Sequence, residues 1–157
     1  MNPASKDETT ETVDLCLPVA RGDRDAVLAC LHETPALLHR SGVGPLHRAV
    51  ASGDLEMTKL LLERGAVPNT RAAWGWYTPL HLACKAGDEP MIWLLLAHGA
   101  KWKLTDKHKK TPLQWAVKAG KASVAYRVDQ QLHAKAKAAG KQELPDLSIR
   151  SLASLCP

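Results

Sequence analysis

Phenylalanine is absent from the 157 residues and tyrosine occurs only twice, so the 45% apolar content rests mainly on aliphatic side chains and five tryptophans. That content is enough for one modest folded domain. Cysteine is sparse. Cys16, Cys30, Cys84 and Cys156 form no C-x-x-C pair, and no histidine spacing completes a zinc set. Cys30 and Cys84 fall where a helix wants a small apolar residue, as free thiols do in a reducing compartment. No apolar run approaches the roughly 18 residues of a membrane span. Residues 1–12 are polar, carry three acidic side chains and match neither a secretory nor a mitochondrial signal. These features favour a cytoplasmic location, with the nucleus as the other compartment allowed. Phosphate-cradling glycine loops, H-E-x-x-H and a nucleophile elbow are all missing, which argues against an enzyme, a cofactor or a small-molecule substrate. Acidic residues nearly vanish from 99–142, which carry a net +9, against −3 for 1–98 and −1 for the rest. So uneven a distribution steers an acidic partner toward one end.

What is present is a recurrence. Gly44-Pro45-Leu46-His47-Arg48-Ala49 returns as Thr78-Pro79-Leu80-His81-Leu82-Ala83 and as Thr111-Pro112-Leu113-Gln114-Trp115-Ala116. The prolines lie 34 and 33 residues apart. Gly53, Gly87 and Gly120 follow at a fixed distance, and Gly65 and Gly99 close two of the units. A period of this length implies stacked supersecondary units. Each proline opens a short inner helix, where its missing N–H is no loss. The following glycine stops that helix, and a longer outer helix runs to the closing glycine. Helices are expected over 46–52 and 55–64, over 80–86 and from Asp88 through Leu95, and over 111–119 and 122–139. Residues 14–32 form a degenerate first pair, as a terminal repeat should. The domain boundaries expected are a leader at 1–12, repeats at 13–139 and a tail at 140–157 with a leucine pattern suited to a short amphipathic helix.

These units resemble ankyrin repeats over roughly residues 14–139. The resemblance implies an all-α solenoid of about four units, two regular and two degenerate, with short β-hairpin-like fingers. It also implies a concave face, formed by inner helices and fingers, that binds other proteins. The facing positions would be His39, Arg40, Ser41 and Val43, then Trp74, Trp76 and Tyr77, then Lys107, His108 and Lys110. Ser52, Lys85 and Lys118 would join them from the inner helices. Of these, Arg40, Trp74, Trp76, Tyr77, Lys85, Lys107, His108, Lys110 and Lys118 are the binding candidates. Leu46, Leu80 and Leu113 are core positions. Thr78 is expected to hydrogen-bond His81 across the turn, which makes His81 structural. His47 has Gly44 in place of the threonine and loses a partner, while Thr111 has Gln114 in place of the histidine.

Three features exceed the pattern. The 34-residue spacing puts one extra residue into the finger that carries Trp74, Trp76 and Tyr77, and at least one of these aromatics is expected to pack between fingers. Lys109 stands where the family usually has the turn glycine, within a run of finger lysines. Trp93 holds a normally charged, outward position and is expected to be exposed on the convex back. Together these suggest a non-catalytic adaptor for a protein with an acidic segment. A structural subunit of a larger assembly is the alternative, and a basic nucleic-acid-associated protein is less favoured because no recognition signature accompanies the lysines.

Overall fold

A computed structural model of the chain describes residues 16–33 and 43–140. The expected leader at 1–12, the candidate Arg40 with His39 and Ser41, and residues 141–157 of the tail lie outside them. Among the described residues there are eight helices: α1 (Cys16–Arg21), α2 (Arg24–Glu33), α3 (Pro45–Ser52), α4 (Leu55–Glu63), α5 (Pro79–Ala86), α6 (Glu89–Ala97), α7 (Pro112–Lys118) and α8 (Ala122–Ala138). They pair as hairpins, and α1, α3, α5 and α7 pack in that order as an inner row. The architecture is an all-α solenoid.

Local sequence sets each boundary. Pro45, Pro79 and Pro112 occupy first-turn positions, where no intrahelical amide is needed. Asp54 and Asp88 cap the outer helices, accepting from the backbone N–H of Met57 and Met91 at 2.9 and 3.2 Å. Gly53 and Gly87 reverse the chain between hairpin arms at φ 74° and 76°, a left-handed conformation that a Cβ would strain.

Leu46, Leu80 and Leu113 are successive rungs of one continuous core, 3%, 1% and 1% exposed. Met57, Leu61, Met91, Ile92 and Leu95 fill it from the outer helices. The fingers, residues 66–77 and 100–110, contain no strand among the described residues. Each is closed instead by turn hydrogen bonds, with Ala72 N–H donating to Tyr77 C=O at 2.9 Å and Asp106 N–H to Lys110 C=O at 3.0 Å. No backbone ladder extends from these turns among the described residues.

Trp93 departs from expectation. It is half-buried, packs against the core and carries the Lys135 ammonium 4.7 Å from its ring centroid. The reason is the length of α8, 17 residues against 9 in α4 and α6. Its extra turns run alongside the third unit. His133 meets the edge of the Trp102 ring at 5.9 Å, and Arg127 pairs with Glu89 at the start of α6. At α6 the back of the solenoid is partly covered by the chain's own last helix.

Candidate functional site

The junction between finger and inner helix repeats with small chemical changes, and these decide what the face presents. In α5, His81 Nδ1 accepts from the Thr78 N–H at 3.1 Å. Its Nε2 lies 3.1 Å from Lys110 C=O, 29 residues further on. A carbonyl can only accept, so Nε2 carries the proton and the ring is neutral. Burial also lowers the His81 pKa, though the Lys110 hydrogen bond and Asp106 pull it back up. His47 does the same one unit earlier, donating from Nε2 to Tyr77 C=O at 3.2 Å. Its Nδ1 is buried with no partner, and Gly44 lacks the hydroxyl that Thr78 places 3.0 Å from His81 Nδ1. In the fourth unit Gln114 stands in for histidine, and its Oε1 accepts from Thr111 N–H at 3.1 Å. Thus each histidine pins the finger of the following unit. Both rings are buried, and each bridges an inner helix to the finger that follows it.

Asp106 is the residue that sequence reasoning missed. Its carboxylate is 6% exposed and accepts from the N–H groups of His108 and Lys110, each at 2.8 Å, and from Trp115 Nε1–H at 2.9 Å. Burial alone would raise its pKa. The hydrogen bonds from Lys110, Trp115 and His108 outweigh that and hold it below the usual carboxylate range. The pairing of Asp106 with Trp115 has no counterpart one unit earlier, where Ala72 and Leu82 hold the same register. That polar pair, set against an apolar one, was the available signal. Asn69 was missed too. Its side chain donates to Gly99 C=O at 3.0 Å and accepts from Lys101 N–H at 2.8 Å, which ties the bases of adjacent fingers. One asparagine in a turn carries no sequence sign of such a bridge.

The three finger aromatics separate. Trp74 and Trp76 are 86% and 56% exposed. Tyr77 is half-buried in a row of rings, 5.8 Å from His47 and 5.6 Å from Trp115. The expected patch of three is therefore a patch of two on a packed third. The next finger adjoins it directly, since Lys107 N–H donates to Gly75 C=O at 3.0 Å. Lys107, His108, Lys109 and Lys110 are exposed there, as are Lys85 and Lys118 on the neighbouring α5 and α7.

Acidic side chains are sorted by face. The inner helices and fingers carry Arg48, Arg71, Lys85, Lys118 and the finger lysines. Their only acid among the described residues is Asp106, whose charge is buried and hydrogen-bonded. The other described acids sit on the outer helices and the helix–helix turns, with Asp129 buried on α8. No metal-ligating cluster of His, Cys, Asp or Glu occurs among the described residues. Burial pushes the Cys84 thiol up to about 12, so it is a packing group and not a nucleophile. No described helix is long and apolar enough to cross a membrane.

A family model for ankyrin repeats, in three copies, matches residues 46–128, more than half of the chain. It covers α3 to α7 and the front of α8, the same hairpins that the core leucines join.

Proposed function

Because the chain belongs to the ankyrin-repeat family, whose members generally mediate protein–protein interaction and are generally non-catalytic, we propose that it is an interaction adaptor. Its partner is a protein with an acidic segment, bound across the inner helices and fingers. The observation that carries this reading is the sorting of charge: the face on which Trp74 and Trp76 stand exposes cations and no acid among the described residues. Such a face attracts carboxylates from a distance and repels a second basic surface. Trp74 and Trp76 supply the aromatic area on which interface energy tends to concentrate. Lys85, Lys107, His108, Lys110 and Lys118 surround them as the charged part of the same surface.

The alternative of a permanent subunit loses support on the back of the molecule. Beside the aromatic finger and the termini, it rests on an exposed Trp93, and that ring is half-buried with Lys135 over it. A lasting interface usually needs a larger continuous apolar surface than two exposed tryptophans.

Cross-linking in native extract, read by mass spectrometry, should place a partner's acidic peptides at Lys107 and Lys110. The association should weaken as salt is raised. Lys107→Glu with Lys110→Glu should weaken it further, while Lys59→Glu, on the exposed face of α4, should not. Equal loss from both sets, or indifference to salt, would sink the proposal.

A further inference from the structure

Two residues other than glycine have positive φ among those described: Trp76 at 57° and Lys109 at 58°. They hold the same register, each two residues before the threonine that opens an inner helix. One unit earlier that register is Gly42, the residue the conformation favours. A large aromatic and a lysine therefore stand where the backbone disfavours a side chain. Both point away from the core and are exposed. Strained backbone at exposed positions is a ground for a hypothesis of function.

The surroundings hold the two backbones rigidly. The residue after each is pinned by its carbonyl, Tyr77 by His47 and Lys110 by His81, at 3.2 and 3.1 Å. The fingers themselves are joined by the bond from Lys107 N–H to Gly75 C=O. Trp76 and Lys109 are thus fixed on adjacent rungs of the stack, and packed helical rungs lie about 8–10 Å apart. An extended chain rises about 3.3 Å per residue, so about three residues span that distance.

Resting on the proposed function, we infer that Trp76 and Lys109 are a two-point reader for an extended acidic segment of a partner protein, in which an apolar side chain and a carboxylate stand three residues apart. The apolar group lies on the Trp76 ring, and the carboxylate meets the Lys109 ammonium one rung further on. The recognised element is a spacing as well as a charge.

Glycine substitutions make the test clean, because they relax the backbone while removing the side chain. Trp76→Gly and Lys109→Gly should each raise the thermal midpoint and still lower affinity, by about tenfold for the tryptophan. The probes are synthetic acidic peptides of equal charge, with one leucine placed one, three or seven residues from a glutamate, titrated against the full-length protein. The expected result is tightest binding at three and loss of that preference in both variants. Equal binding at every spacing, or variants that bind like the parent, would overturn the reader yet leave an acid-binding face standing. If no acidic peptide binds, both readings fall, and a single-stranded oligonucleotide that does bind would identify the lysines as a phosphate site.

Discussion

At the residue scale, one difference between units has a measurable cost. His47 and His81 do the same job, yet only His81 has both ring nitrogens satisfied. Gly44 is extended, at φ −78° and ψ 177°, close to the φ −98° and ψ 166° of Thr78. Gly44→Thr should therefore fit the backbone, give Nδ1 a hydroxyl donor and restrict the unfolded chain. A gain of about 1 kcal/mol in urea unfolding is expected. Acid titration follows from the same side chains. Burial first of all, against a hydrogen bond to a carbonyl, holds both histidines below their ordinary 6.5. The unfolded chain then binds protons that the folded one refuses. Their contribution is present above pH 6.5 and is lost as pH falls from there through the folded values. Asp106 lies below its ordinary 3.8, so its contribution is lost later, as pH falls through its own folded value. Unfolding free energy should drop from pH 7 to pH 5, and His81→Gln, copying Gln114, should flatten that slope.

At the element scale, α8 stands apart from the other outer helices. Its last turns hold Leu132, His133 and Lys135 against the third unit, with Trp93 and Trp102 beneath. Lys135→Ala should cost no more than about 1 kcal/mol, the value of an exposed cation–π contact. It should also shift tryptophan emission as the Trp93 ring meets water. The inner helices depend more on packing. Leu80→Ala in α5 removes a side chain 1% exposed at the centre of the core and should cost about 2–5 kcal/mol by thermal or chemical unfolding. The helix spans were legible because proline, aspartate and glycine punctuate them. The contacts of α8 were not, because extra length shows in a sequence while the direction in which it packs does not.

At the scale of the whole molecule, each unit touches only its neighbours, so stability is the sum of units and the interfaces between them. The α5–α6 hairpin has partners on both sides, through α3, α4 and α7, whereas among the described residues α1 and α2 have a neighbouring hairpin on one side only. Hydrogen exchange should be slowest in α5 and fastest in α1 and α2. The reverse order would mean that the terminal pair, and not the central units, anchors the fold.

The sequence by itself determined the repeat, the ends of its helices, the leucine rungs, the missing partner of His47 and the excess of positive charge. Each of these is a local pattern, or a count, that any chain with this order of residues must carry. Tertiary structure alone decided that Tyr77 packs while Trp74 and Trp76 stand free, and that Trp93 is covered by α8. It also decided that Asp106 takes three donors, and that all the remaining described acids leave the inner-helix and finger face. Those outcomes depend on which surfaces meet across about thirty residues of chain, as in the 29 that separate His81 from Lys110. Proximity of that kind is created by stacking, and no local spacing encodes it.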